Sequence, residues 1–504
     1  MSSTLPYLTT YPASDYNDDM AGILIGGSSL LRISNTSQGN QSKNPLFLPV
    51  EIHNYILETF WDSKNIECSS PDTIRACTLT CQVWYKAARP HIFRVIVLKR
   101  WEDLQRFSSL AINDESVLGW VQRVRLCGSL PPLDRSSAGQ ELPADWGVRD
   151  RWIYYFPYLL APRIRDKTNH NDPTFNIKIL ELFDFSHISG AVEDCEWFAF
   201  WVLHLSWLKN VETLYLKSCE MASNAMTALA HSFPQLRNVG FTHVDLTSKN
   251  HAGINVALQP SLPFYLTEET ITQQQMGGEL ALPDQKFVHR CCGPARENGV
   301  DYTIIHPAPR IESIYINNET SEYTWLDLNR LYGWMVPYNA AKYLKSMELS
   351  AVVELCSISK FITELGSSPC LQHLSLWIGC DIGLFDRYAF DFSKLTNLMS
   401  LRLHGSGFDH IQLEVFIRIL STLKAPELRR IMLAVTHNSN FTEVEQLDDC
   451  LAENFSSLEV VVVECVGLHG RGLEGPRQEI QAILPKTNRR GLLEVQTYSE
   501  PFRY

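Results

Sequence analysis

One arrangement of apolar positions keeps returning along the chain: an apolar residue, two others, an apolar residue, one other, and a third apolar residue. It occurs at Val121, Val124 and Leu126, at Ile177, Leu180 and Leu182, and at Val211, Leu214 and Leu216. It returns at Leu236, Val239 and Phe241 and at Ile311, Ile314 and Ile316. Five more follow: Leu344, Met347, Leu349; Leu371, Leu374, Leu376; Leu398, Leu401, Leu403; Leu428, Ile431, Leu433; and Leu458, Val461, Val463. The starts at 344, 371, 398, 428 and 458 differ by 27, 27, 30 and 30 residues. The closing i, i+2 pair is the period of a strand with one buried face, and an interval near 30 is the length of a structural repeat.

Helical patterns fill the gaps. Leu355, Ile358, Phe361, Ile362 and Leu365 form one stripe, and Leu413, Phe416, Ile417, Leu420 and Leu423 form another. Val444, Leu447, Leu451 and Phe455 form a third, at the spacing that lines one side of a helix. Ile480, Ile483 and Leu484, followed by Leu492, Leu493 and Val495, read as a closing helix and strand. Strand, turn and helix in repetition predict an α/β stack, with a parallel sheet on one side and helices on the other.

Two stretches interrupt the rhythm. Leu130 to Asn176 holds a polar segment and then Trp152, Tyr154, Tyr155, Phe156 and Tyr158; these aromatics read as packing against the first repeats, or else as an interaction hot spot. Leu246 to Pro309 separates two strands by far more than one period. Insertions of this length in a repeat array often build a binding rim. Residues 1 to 43 lack sustained periodicity, are rich in Gly, Ser, Asn and Gln, and read as a disordered arm.

The stretch from Pro45 to Leu98 has a different pattern. Leu48-Pro49 opens a helix whose stripe is Ile52, Ile56, Leu57 and Phe60, with proline suited to a first turn. A polar segment, Asp62 to Ser70, breaks it. Pro71-Asp72 then starts a second helix that carries Ile74, Cys77, Leu79, Cys81 and Trp84 and ends at Arg89-Pro90. Phe93, Val95 and Val97 begin a strand pattern. So short a unit cannot cover all of its own apolar surface.

Charge and composition narrow the partners. The 504 residues carry a net charge of −12 without a compensating basic stripe, which argues against nucleic acid or an anionic membrane as the main partner. No apolar run is long enough to span a bilayer, and the N-terminus lacks the basic and apolar regions of a signal peptide. Thirteen scattered cysteines read as buried thiols in a reducing compartment, so the expected location is cytoplasmic or nuclear.

Signs of chemistry are thin. His404, Ser406, Asp409 and His410 fall close together, but Gly405 and Gly407 flank the serine directly, which is not the spacing of a nucleophile elbow. His289 with Cys291 and Cys292 lacks the second ligand pair of a zinc site. The expectation is a protein that is not an enzyme and uses no cofactor and no metal.

The order LPVEI at 48–52, a helix, Cys77, Cys81 and Trp84, then HIFRVIVL at 91–98, resembles an F-box, most closely of the fungal type. The repeats behind it resemble a degenerate leucine-rich-repeat domain, although the Asn or Cys that follows the strand in that family has a counterpart only at Cys219. The resemblance implies residues 44–98 as F-box and 99–504 as a leucine-rich-repeat-like solenoid with insertions at about 130–176 and 247–309. It implies a substrate-recognition subunit of a Skp–cullin–F-box ubiquitin ligase. Such a subunit docks a Skp-type adaptor, and through it a cullin, and holds a protein target of unknown identity. Carried over residue by residue, the docking set is Leu48, Pro49, Ile52, Ile56, Leu57, Cys77, Leu79, Cys81 and Trp84. One departure is the long spacer at 64–70. It keeps open an alternative, a non-catalytic interaction scaffold whose helical unit only caps the solenoid.

Overall fold

The repeated triplets become neighbouring strands. The computed structural model describes residues 50–59, 71–114, 116–128, 150–156, 158–160, 176–187, 198, 201–202, 204–247, 309–318, 340–351, 370–378, 392–405, 411–436, 444–466 and 473–497. Twelve strands form one all-parallel sheet: β1 (Val95–Leu98), β2 (Arg123–Cys127), β3 (Ile179–Phe183), β5 (Thr213–Lys217), β7 (Asn238–Thr242), β9 (Ser313–Asn318), β10 (Ser346–Ala351), β11 (His373–Ile378), β12 (Ser400–Gly405), β13 (Arg430–Thr436), β14 (Val460–Val466) and β15 (Leu493–Thr497). Three short strands, β4 (Ser186–His187), β6 (Glu220–Ala222) and β8 (Asp245–Thr247), form a second parallel sheet. The whole is an α/β architecture, with strands alternating with helices and helices preceding the sheet, consistent with a leucine-rich-repeat-like stack.

Register explains the pattern. The second apolar residue of each triplet lies beside its counterpart in the next strand, as in Val124, Leu180, Leu214, Val239, Ile314, Met347, Leu374, Leu401, Ile431 and Val461. The third apolar residues form a second ladder two positions on. Both ladders are buried, and they share one core with Leu104, Phe107, Leu229, Phe416, Leu420, Leu447, Leu451 and Ile480 of the helices. Each strand thus presents one face to the helices and the intervening residues to the opposite face.

The residue before each strand also forms a row. The N–H of Glu212 donates to Lys178 O, that of Arg237 to Glu212 O, that of Glu312 to Arg237 O and that of Lys345 to Glu312 O, at 2.7–2.9 Å. These five neighbours alternate in charge, and Lys345 and Glu312 also pair through their side chains at 2.9 Å. At the other end of the strands the chain turns sharply. Asp184, Ser218 and His243 hold left-handed φ values of 52°, 51° and 51°. Their N–H groups donate to a carbonyl at the end of the next strand, at Lys217, Thr242 and Asn317, over 2.7–3.0 Å, which offsets the strain. The next residues, Phe185, Cys219 and Val244, point inward. The Cys219 thiol donates to Leu182 O and Lys217 O, each at 3.3 Å, and so ties two repeats together.

Several expectations need adjusting. The second N-terminal helix is two helices, α2 (Pro71–Thr78) and α3 (Gln82–Ile92). The Thr78 and Thr80 hydroxyls bond back to Arg75 O and Cys77 O and close α2 early, as such side chains do when they compete with the ladder. Pro90 does not end α3, because Phe93 N to Arg89 O and Arg94 N to His91 O still pin the last turn. In β1, Ile96 and Leu98 face the core, matched to Val124 and Leu126, whereas Val97 points outward. The helix Ile411–Thr422 buries Val415, Phe416, Ile419 and Leu420, a face slightly rotated from the expected one, and leaves Ile417 half-buried. Trp152, Tyr154, Tyr155, Phe156 and Tyr158 all lie in the core, with Tyr154 edge-on to Phe185 and Trp201 at 6.0 and 5.5 Å. The arm at 1–43, most of both insertions, the stripe at 355–365, Ser406, and the His289 and Cys291-Cys292 group lie outside the described residues.

Candidate functional site

Among the described residues three helices precede the sheet: α1 (Val50–Thr59), α2 and α3. They enclose a small core of their own, Leu57, Ile74, Ala87 and Ala88, with Cys77, Trp84 and Ile92 packed on it, separate from the core of the sheet. Trp84 meets the buried His53 edge-on at 4.5 Å, which locks α3 onto α1. Apolar side chains remain outside this core. Leu79 is 84% exposed, Tyr55 71%, Tyr85 43% and Ile52 42%. Cys81, also exposed, is the N-cap of α3, and the Trp84 amide holds its thiol below the ordinary range.

The head is fixed to the stack by charge and stacking. Arg94 bonds Glu58 of α1 at 3.1 Å and, through Nε, Gln122 at 2.9 Å just before β2. Arg89 pairs with Asp114 at 2.7 Å, and its guanidinium lies 5.5 Å from the Trp120 ring, which in turn stacks on Phe93. The Ser116 hydroxyl, with help from Arg89, holds the Asp114 carboxyl below its ordinary range. Burial lowers the His91 pKa against the opposing pull of Glu58.

The face of the sheet away from the helices carries two polar clusters. At one end Glu181, almost fully buried, accepts from Arg123 and, at 2.9 Å, from Arg125. The Arg125 guanidinium sits 4.1 Å above the Phe183 ring, and Lys217 Nζ approaches the same ring to 5.3 Å. At the other end buried Glu464 accepts from Arg402 at 2.6 Å and from Gln496 at 3.0 Å, reaching across β13 where the intervening residue is Ala434. His404 meets Trp377 at 3.7 Å between ring centroids, and burial, then Arg402, pushes its pKa down to about 3. Burial also raises the Cys127 and Cys219 thiols, to about 11 and about 12, so neither is a thiolate at neutral pH.

The residues singled out from sequence divide into groups. Leu48 and Pro49 lie outside the described residues. Ile52, Leu79 and Cys81 are exposed; Ile56, Cys77 and Trp84 are half-buried; Leu57 is fully buried in the head's core. Tyr55 and Tyr85 were not anticipated. Tyr55 could have been found, because it sits one turn on from Ile52 and so shares its face. The Arg123–Glu181–Arg125 cluster joins residues 56 to 58 positions apart, and no local pattern announces it.

Among the described residues no group of three or more His, Cys, Asp or Glu side chains could hold a metal ion, and no helix is long and apolar enough to cross a membrane. No protein-family model matches the sequence, and no curated protein is significantly similar to it.

Proposed function

We propose that the chain is a substrate-recognition subunit of a Skp–cullin–F-box-type ubiquitin ligase. The three-helix head is the F-box and docks a Skp-type adaptor through Ile52, Tyr55, Leu79 and Tyr85. The outer face of the sheet holds a protein target. The observation that carries this reading is a head with a core of its own, among the described residues, while large apolar side chains stay exposed on it. The order Leu-Pro, Glu, Ile, Cys, Trp in the sequence supports it. In this role the chain binds and positions. Bond chemistry belongs to the conjugating enzyme, and tethering raises the effective concentration of the target lysine beside its thioester.

A second reading treats the head as a cap on the stack that recruits no ligase. The Arg89–Asp114 pair and the Phe93–Trp120 stack favour it, since they hold the head against the first helices of the repeat region. Co-purification with a Skp-type adaptor separates the two. Full-length protein is expected to retain the adaptor, and the Tyr55→Asp, Leu79→Asp double variant to lose it while staying folded. Equal retention, or none by either protein, removes the ligase reading.

A further inference from the structure

We infer that the chain forms a two-fold dimer in which β15 of one copy pairs antiparallel with β15 of a second, centred on Val495. This assembly goes beyond the docking reading and does not depend on it. β15 ends the twelve-stranded sheet and pairs only with β14. The Val461 N–H donates to Leu492 O at 2.8 Å, and that bond sets the alternation. The main-chain groups of Leu492, Glu494 and Gln496 bond β14, and those of Leu493, Val495 and Thr497 point to the far side. Among the described residues no strand pairs with them there. Such an edge is a template for another strand unless a lysine, a proline or a bulge blocks it. The Leu-Glu-Val-Gln-Thr of β15 carries none of these.

The opposite edge is restricted where this one is open. In β1 the same alternation turns only Val95 and Val97 outward, since Arg94 O accepts from Gln122 and Arg123. The next outward amide, that of Lys99, already donates to the Asp103 carboxylate at 3.1 Å. Arg94, just before the strand, is held to Glu58 of the head. β15, by contrast, is complementary to itself. A two-fold axis at Val495 places Val495 beside the partner's Val495 and Leu493 beside the partner's Thr497. All the outward groups then pair, in about six main-chain hydrogen bonds. The same register places the exposed Glu494 beside the partner's Gln496. Gln496 gives one amide hydrogen to Glu464 and has a second for the partner's Glu494. No carboxylate of the strand faces a carboxylate across the seam. On the inner face Ile480 of the helix Glu474–Ile483 shares a core with Val495, so each copy also brings a helix to the seam. Isologous pairing of this kind closes at two copies, and the two heads, at the β1 ends, stand at opposite ends of one continuous sheet.

The test is sedimentation velocity of the full-length protein over a series of concentrations. Wild type is expected to pass from monomer to dimer and to stop there. Thr497→Pro removes an outward N–H from each copy and no bond to β14, and should weaken the dimer about hundredfold with an unchanged thermal melt. Glu494→Ala alters an exposed side chain and no main-chain group, and should weaken it about fivefold. Val97→Pro, the matching change on the β1 edge, should leave the dimer intact. Four results overturn the proposal: a wild-type chain that stays monomeric; a Thr497→Pro or Glu494→Ala protein that dimerises like wild type; a dimer lost in Val97→Pro alone; or species that keep growing with concentration, as pairing of β15 with β1 of the next copy would give.

Discussion

The Tyr215 ring lies across Gly240 of the neighbouring strand so closely that a Cβ at position 240 would sit 2.4 Å from Cδ2 of the tyrosine. The two residues are register partners on the outer face, and the Tyr215 hydroxyl reaches on to the Thr242 hydroxyl at 2.7 Å. Gly240→Ala should therefore push the ring away and break that hydrogen bond, at a cost of about 1–3 kcal/mol. In a Tyr215→Ala background the same change should cost far less. Thermal unfolding of the four proteins of this cycle checks it, and equal costs in both backgrounds would contradict the contact.

The head offers exposed and buried apolar positions that test the proposed docking apart from stability. Leu79→Asp and Tyr55→Asp touch exposed positions and should shift stability by no more than about 0.5 kcal/mol. Leu57→Ala opens the small core and should cost about 2–5 kcal/mol. Adaptor retention beside a thermal melt gives both readings: retention lost with an unchanged melt for the first pair, and a lowered melt for Leu57→Ala.

Acid should weaken the fold, in part through His404. Its folded pKa of about 3 lies below the ordinary 6.5, so between these values the unfolded chain binds the extra proton. Stability is then unaffected by this group above 6.5 and falls as the pH drops from there towards 3, by at most about 1.4 kcal/mol per pH unit. His91 and His243, also lowered by burial, act in the same direction. Urea midpoints measured from pH 7.5 down to 5 should decline less steeply in His404→Gln. An identical slope would show that His404 is not among the groups responsible.

The C-terminal strand depends on one buried carboxylate. Asp448, on the helix Val444–Glu453, accepts from Lys486 N, Thr487 N and Thr487 Oγ1 at 2.7–2.9 Å. These bonds hold the short helix Pro485–Arg489 that leads into β15. Asp448→Ala should cost about 2 kcal/mol or more and raise hydrogen exchange across residues 485–497. Exchange confined to its wild-type rate there would refute the anchoring role.

The strands were legible because burial on one face writes a two-residue period into the sequence, and Val124 to Val463 keep that period at every repeat. The closing of α2 was not, because Leu79 looks like the next residue of an apolar stripe; the threonine hydroxyls on either side decide the break. The turns at Asp184, Ser218 and His243 carry no glycine, and their left-handed geometry follows from bonds to strands that come later in the chain. The set of exposed apolar side chains on the head was half legible, since Ile52 and Leu79 were named and Tyr55 and Tyr85 were not. Within a stripe, helical spacing shows that residues share a side but leaves open whether that side meets the head's own core or solvent. The clusters around Glu181 and Glu464 stayed hidden for a further reason: which polar residues meet depends on how much chain is inserted between strands.

The alternating row before the strands has a consequence for how so repetitive a sheet finds its order. Apolar ladders are nearly interchangeable, so by themselves they would let any strand lie beside any other. Between β3 and β10, the alternating charges of Lys178, Glu212, Arg237, Glu312 and Lys345 work against that freedom. If the chain omitted a strand and paired its flanking neighbours, Lys178 would face Arg237, Glu212 would face Glu312, or Arg237 would face Lys345. Each penalty is small, yet skipping β5, β7 or β9 incurs one. The row is a parity check, written in charge, that lets the chain reject an assembly with a missing line.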